Sequence, residues 1–325
     1  MIEKLLAFLD RHDFFILTTH DPADADGLGA EMVLACILRG KGKPFRIINA
    51  SAIPTRYRFM DPHNIIEQWD YERHESLPEQ AGFFLLDTAD ELNTGKMKDA
   101  ICRAKEVFII DHHEPKPHPM YSGITDPSAA SACEMVVKIA KTTETIIDPE
   151  TAFAAYTGIA ADTGFFAYPK TGSKTLRSAL TLLDLGVNPN DAYRRLYENV
   201  PTETLLLQQK ALAGMKLHCN NRVAVQILRI EDFVKTGATL DETSGFINFP
   251  LKARSIAVSL LLKEADDGVI HCSLRSKGTI NVAKIAQEFG GGGHVNASGY
   301  TSTLNLEQTH AKALARIAES LEQEP

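Results

Sequence analysis

Cysteine is scarce in this chain of 325 residues: there are five, Cys36, Cys102, Cys133, Cys219 and Cys272, and no pair is spaced as Cys-x-x-Cys. An odd, scattered set supports neither a disulfide framework nor a zinc–thiolate site, and reads as free thiols in a reducing compartment. No uninterrupted apolar run reaches membrane-spanning length. The opening "MIEKLLAFLDRHDFF" carries Glu3, Asp10, Arg11 and Asp13 where a signal peptide would keep an apolar core. A soluble, cytoplasmic protein with no membrane partner is expected. Net positive charge is also missing: 34 Lys and Arg against 42 Asp and Glu leave −8, with a pI of about 5.8. That excludes a tight grip along a long duplex, which needs many cations on phosphates. It leaves room for a small anion held in a local pocket.

What the chain does have is alternation. The β-rich runs "FFILTT" (14–19), "FRIIN" (45–49), "FFLLD" (83–87) and "VFIID" (107–111) are separated by helical patterns such as 27–39 and 95–105. Strands and helices taking turns predict a parallel α/β sheet flanked by helices. From Pro127 to about Met215 the pattern is mostly helical. Beyond it, "RVAVQILR", "SIAVSLLLKEA", "VIHCSLRS" and a terminal amphipathic helix predict a smaller α+β domain. The expected division is 1–190, a helical connector at 191–220, and 221–325. A length of 325 residues with 44% hydrophobic composition suits two cores.

Charged residues gather where the strands end. His20, Asp24 and Asp26 follow the first, Asp87 closes the third, Asp111-His112-His113 closes the fourth, and Asp162 follows the apolar "AFAAYTGIAA". In open parallel sheets ligands bind beyond the carboxyl ends of strands. Carboxylates mixed with imidazoles, and no thiolate, favour divalent ions such as manganese or magnesium. On an extended segment Asp24 and Asp26 would point to opposite sides and serve different ions, with Asp87 able to bridge them. Two such ions would neutralise the crowded carboxylates, and a pair of divalent ions is a general device for phosphoester hydrolysis. Near the other end stand Arg275 and Ser276 at a strand end, then the run Gly290 to Gly293 with His294. Glycine lets backbone N–H groups approach an anion closely, and Arg grips phosphate with two donors.

Blander readings exist for each feature. "DPADAD" could simply cap the following helix, Asp162 could cap another, and a glycine run is often a linker. The aromatic residues of "GFFAY" (164–168) read as core.

At Asp111-His112-His113, together with His20-x-x-x-Asp24-x-Asp26, Asp87, Asp162 and "GGGGHVNASG" (290–299), the sequence resembles the DHH/DHHA1 phosphoesterases. Within them it is most similar to the compact oligoribonucleases and pAp phosphatases of the NrnA type. The resemblance spans nearly the whole chain. It implies two divalent ions, manganese first with magnesium or cobalt as alternatives. His20 and Asp24 would ligate one, Asp26, His112 and Asp162 the other, and Asp87 both. Asp111 would orient the imidazoles from behind, and His113 would face the scissile phosphate. Arg275, Ser276, Gly291, Gly292, Gly293 and His294 would hold the rest of the substrate. The implied substrates are short oligonucleotides or nucleotide bisphosphates, with linear products of cyclic dinucleotides or polyphosphate as alternatives. A non-catalytic nucleotide-binding regulator is the rival class, and a homodimer is compatible with the sequence.

Overall fold

The computed structural model describes residues 2–74, 81–114, 120–243, 245–265 and 268–322. Its contacts divide the chain into two compact units, Met1–Asn199 and Val200–Pro325. The first runs α1 (Ile2–Arg11), β1 (Phe15–Thr18), α2 (Ala25–Gly40), β2 (Phe45–Asn49), β3 (Ile66–Gln68), α3 (Tyr71–His74), β4 (Gly82–Leu86), α4 (Lys98–Arg103), β5 (Glu106–Asp111), β6 (Ser122–Thr125), α5 (Ala132–Thr142), α6 (Pro149–Asp162), α7 (Ser173–Asp184) and α8 (Pro189–Tyr197). Its six strands lie in the order β3-β2-β1-β4-β5-β6, and every pairing is parallel.

Strand alternation splits the apolar side chains between two cores. Phe15 and Leu17 face the cluster built with α1, α2, α5 and α6, while Ile16 joins Ile48, Phe83, Leu85 and Ile101 on the opposite face. Phe8 packs edge-on against Phe84 at 5.0 Å between ring centroids, and each such aromatic pair adds about 0.5–1.5 kcal/mol beyond its buried area. Helix α2 is buried from Ala25 to Leu38, as its nearly continuous apolar sequence requires. It lies unusually close to α5 and α6. A Cβ at Gly158 would stand 2.4 Å from Cys133 Sγ and 2.8 Å from Ala25 O. That approach fixes the first turn of α2 and the last turn of α6 relative to the strand ends.

The second unit comprises α9 (Thr202–Ala213), β7 (Lys216–His218), β8 (Val223–Leu228), α10 (Ile230–Thr236), β9 (Val258–Glu264), β10 (Ile270–Ser276), α11 (Val282–Glu288), β11 (Gly292–His294), β12 (Ala297–Ser302) and α12 (Leu306–Glu322). Its sheet has the order β11-β12-β10-β9-β8-β7; β8 and β9 are parallel and the remaining pairs antiparallel. Val223, Leu260 and Leu274 face α11 and α12 on one side, and Leu228 and Leu261 face α9 on the other. No helix among the described residues is long and apolar enough to cross a membrane.

Four strands escape the sequence pattern. β3, β6 and β7 are three or four residues long, too short to show a period of two. β12, "ASGYTS", is small and polar, and it is a strand because it pairs with β10 along six positions. The glycine run also differs from the loop expected. Gly292–His294 forms β11, hydrogen-bonded to β12 in a tight hairpin. A Cβ at Gly291 would meet Gly299 O at 2.2 Å, and one at Gly293, where φ is +134°, would meet Ala297 O at 2.5 Å. Glycine is required there by backbone packing.

Candidate active site

The C-terminal ends of β1, β4 and β5 converge, and the residues just beyond them form one charged cluster. Asp87 follows β4 at φ +58°. A non-glycine residue in the left-handed region is uncommon, though Asp tolerates it better than most. The conformation turns a buried carboxylate across the sheet edge. Its Oδ2 lies 3.5 Å from His20 Nε2, and its Oδ1 lies 3.3 Å from His112 Nε2. His20 Nε2 is also 3.6 Å from Asp24 Oδ1. His112 Nε2 is 3.4 Å from Asp162 Oδ2 and 3.9 Å from Asp26 Oδ2.

Three groups thus have ligand atoms within 4.8 Å of one another: His20, Asp24 and Asp87; Asp26, His112 and Asp162; and Asp87, His112 and His113. Donors bound to one cation at about 2.1 Å sit about 3.0–3.4 Å apart, so this spacing fits an ion after small adjustment. Two further observations agree with a cation. Asp87 Oδ1, which faces His112 Nε2 across the cluster, is buried without a hydrogen-bond partner, which costs free energy unless something else satisfies it. Asp162 is the last residue of α6, the end where the helix dipole disfavours a carboxylate.

The charges of the cluster are mutually strained. Burial, then the charges of Asp87 and Asp162, push the Asp26 carboxyl well above the usual range. Burial also lifts Asp162 to about 6, against the pull of His112. Burial opposes a charged His20, yet Asp24 and Asp87 raise it to about 11. His112, likewise opposed by burial, is raised to about 9 by Asp87, Asp26 and Asp162. A divalent cation among these oxygens would oppose each shift by favouring the ionised carboxylates and neutral imidazoles.

The aspartates after β1 work differently from the extended-segment expectation. Asp24 alone is extended; it is the N-cap of α2, its Oδ1 accepting from the N–H groups of Asp26 and Gly27 at 2.9 and 3.1 Å. The capping reading and the cluster reading therefore both hold for one side chain. Asp26 belongs to the helix, and its two oxygens accept from Ala132 N and Cys133 N at 2.5 and 2.9 Å. The N-terminus of α5 thus steadies a carboxylate that its neighbours repel. Asp111 differs too. Its Oδ1 meets His113 Nδ1 at 2.8 Å and His113 N at 3.1 Å, so it holds the His113 ring directly and acts on His112 through charge. His113 reinforces its ionised form, holding the carboxyl below the usual range despite burial.

Arg275, Ser276, Gly291, Gly292 and Gly293 lie in the second unit, on β10 and at the glycine hairpin. Ser276 is buried and committed: its hydroxyl donates to Ile280 O at 2.6 Å and accepts from Asn296 Nδ2 at 2.9 Å. Arg275 is half-buried on β10, opposite Ser259 and Ala297. The side chain of His294 lies outside the described residues.

Sequence reasoning missed two features. Lys170 Nζ reaches His112 O at 3.5 Å, bringing an ammonium group to the Asp-His-His turn from a loop with no motif. Behind β1, Asn49 Oδ1 accepts from Thr19 N at 3.2 Å while its amide donates to the buried Glu31 at 3.0 Å, bracing the strand that ends at His20. Asn49 closes β2, and strand-end position was the available signal.

The chain matches the DHH family, N-terminal domain, over residues 15–159, and the DHHA1 domain over residues 220–323. It is 29% identical over 309 residues to the bifunctional oligoribonuclease and PAP phosphatase NrnA of Thermus thermophilus, covering 94% of this chain and 89% of that one. To the protein of the same description from Bacillus subtilis it is 27% identical, covering 92% of each. Among solved structures, an exopolyphosphatase-related protein from Bacteroides fragilis superposes with a TM-score of 0.90 at 26% identity, covering 98% of this chain and 95% of that one. DHH phosphoesterases use divalent metals, and the clusters around Asp87 offer the groups to bind them. With both domains present in order and the charged cluster at the sheet edge, the chain belongs to the DHH/DHHA1 phosphoesterases and is a phosphoester hydrolase.

Proposed function

We propose that this chain is a manganese-dependent phosphodiesterase that cuts di- to tetranucleotides to mononucleotides and also removes a phosphate from pAp. The observation that carries the reading is the split orientation of Asp87, with one oxygen beside His20 and the other beside His112. A carboxylate shared by two ions would stand this way, with His20 and Asp24 holding one ion and Asp26, His112 and Asp162 the other. Bound there, the ions would supply positive charge to the phosphate and a water of lowered pKa.

The chain's own residues do the rest. Asp111 fixes the His113 ring through Nδ1, which leaves Nε2 to face the scissile phosphate and hand a proton to the leaving oxygen. Residues 221–325 serve as the substrate-holding domain, joined to the catalytic domain 1–190 through the connector 191–220. There Arg275 grips a phosphate, the N–H groups of Gly292 and Gly293 line it, Gly291, whose own N–H donates to Ala286 O at 2.9 Å, lets the backbone turn close beside it, and His294 completes the contact. Ser276 acts by fastening the turn to Ile280 and Asn296.

The substrate class is supported by the relatives described as oligoribonuclease and PAP phosphatase. The exopolyphosphatase-related description of the Bacteroides fragilis structure favours polyphosphate as a second reading. Hydrolysis of pAp, a dinucleotide, a decanucleotide and polyphosphate, each with manganese, magnesium or cobalt and after chelation, separates them. The dinucleotide and pAp should be cut fastest, with manganese most effective. Polyphosphate cleaved in preference to both, or rates unchanged by chelation, would overturn the proposal.

A further inference from the structure

In a chain of net charge −8, one surface of the first unit runs against the average. The two-turn 3-10 helix Thr55–Met60 reads "TRYRFM" and α8 reads "PNDAYRRLY". The two segments pack together and interleave arginines with tyrosines. Arg56, Arg58, Arg194 and Arg195 are all exposed. Tyr193 and Tyr197 are 40% and 45% exposed, with ring centroids 5.2 Å apart. Two of the arginines are ordered by rings beneath them, while Arg194 Nε faces the exposed Glu198 Oε2 at 3.8 Å, an ion pair open to solvent that a phosphate could displace. The Arg195 guanidinium lies over Phe59 and Phe153 at 5.3 and 5.2 Å, and Arg56 lies over Tyr57 at 4.5 Å.

This surface adjoins the charged cluster. Immediately after Asp162, Gly164, Phe165 and Phe166 take φ of +55°, +55° and +67°. Bulky residues adopt such angles only when their surroundings impose them. The turn sets Phe165 edge-on beneath Tyr193 and Tyr197, at 5.2 and 6.1 Å. Tyr57, Tyr168 and Tyr193 all lie near enough to Tyr197 to act on it electrostatically, and Asp24 acts on Tyr57 in the same way. The "GFFAY" segment, expected as core, is only half-buried at its phenylalanines and leaves Tyr168 56% exposed.

Exposed aromatic faces spaced among cations are the chemistry that binds single-stranded nucleic acid without regard to sequence: bases stack on rings, and arginines meet phosphates. Resting on the substrate class proposed above, we propose that this face of the first unit binds the nucleotides of a short single strand beyond the one being cut. Tyr193 and Tyr197 stack the bases, and Arg58 and Arg194 contact the backbone. A second copy of the chain fits the face less well, because a two-fold contact would set arginines against arginines.

The test is anisotropy of a fluorescently labelled RNA tetranucleotide, titrated with chelator present so that binding is read without turnover. The double variant Tyr193→Ala/Tyr197→Ala should bind about tenfold more weakly, and Tyr193→Phe/Tyr197→Phe should stay within about twofold, since stacking needs the ring. Arg58→Ala/Arg194→Ala should flatten the salt dependence of binding. The ratio of kcat/KM for tetranucleotide over pAp should fall in the alanine variant and recover in the phenylalanine variant. Equal affinity of parent and double alanine variant, with unchanged thermal unfolding, overturns the proposal. So does a parent that fails to bind the tetranucleotide, or a parent dimer that the alanine variant dissolves while affinity holds. A parent that binds but hydrolyses no nucleotide sinks the substrate reading and leaves this surface standing.

Discussion

The two sheets build their candidate sites by opposite means. In the first unit, parallel strands all deliver their carboxyl ends to one edge, so ionisable side chains accumulate there: His20 after β1, Asp87 after β4, Asp111 and His112 at the end of β5. In the second, the mainly antiparallel strands spread their ends over both edges, and the candidate anion site is made of backbone, a glycine hairpin beside one half-buried arginine. The first arrangement is pushed apart by like charge, and a cation would draw it together. The second is held by close packing that leaves no room for a methyl group at Gly291 or Gly293. Electrostatic strain should therefore govern mutations in one unit, and steric strain in the other.

The sharpest break of that comparison is Asp87→Asn. Its side chain keeps its size, loses the charge shared by both halves of the cluster, and should cost about a thousandfold in kcat on pAp. Without metal the substitution relieves Asp26 and Asp162 of a repulsive neighbour but deprives His20 and His112 of an attractive one, so the readout is the shift that metal produces. Manganese should raise the melting temperature of the parent and leave the variant nearly unmoved. A variant that retains the parent's rate would break the electrostatic half of the contrast. Asp111→Asn tests the same unit more gently. It keeps a hydrogen-bonding side chain behind His113 but removes its charge, and should lower kcat about 10- to 100-fold with KM little changed.

The steric half is tested by neighbouring glycines. Gly291→Ala forces a Cβ to within 2.2 Å of Gly299 O, whereas a Cβ at Gly292 meets nothing within 4 Å. Gly291→Ala should destabilise the second unit by about 1–3 kcal/mol in urea unfolding, and Gly292→Ala should leave stability within about 0.5 kcal/mol. If Gly292→Ala weakens pAp binding while stability holds, the hairpin acts as an anion cradle. Equal destabilisation by both would remove the steric argument.

The same contrast explains what could be read from sequence. β1, β2, β4 and β5 are apolar on both faces and announce themselves as buried strands, and their ends carry the cluster. The helical start of α2 was harder, because "DADG" reads equally as extended chain. What decides it is the N-cap bond from Asp24 and the grip of α5 on Asp26, which is a contact between residues about a hundred positions apart. Lys170 was illegible for the same reason: nothing local marks a lysine whose partner is a carbonyl at His112. In the second unit the glycines were visible but their cause was not. Their need for small size comes from β12, whose own sequence gives almost no strand signal. The arginine–tyrosine surface combines two segments that read separately as an unremarkable turn and an amphipathic helix.

The smallest expected effect concerns Glu31, whose carboxylate braces the first unit and whose titration tests the electrostatic rule away from the proposed ligands. It is fully buried on α2, with Oε2 accepting from Asn49 Nδ2 at 3.0 Å and Oε1 without a partner. Burial raises its pKa to about 8, the Asn49 hydrogen bond pulling the other way. The folded chain therefore holds a proton that the unfolded chain, titrating near about 4.5, releases. Between those values the folded state binds more protons than the unfolded one, so stability falls as pH rises and levels off above about 8. Asp26 and Asp162, also raised, add slopes of the same sign in metal-free protein, so the comparison must be parent against Glu31→Gln under chelation. The glutamine can keep the bond to Asn49 and does not titrate. The variant should gain on the parent by a few degrees in melting temperature between about pH 5 and 8, with no gain below about pH 4. Parallel melting curves across that range would mean that Glu31 stays ionised in the fold, and that the low-dielectric interior invoked for the whole cluster is more hydrated than its burial indicates.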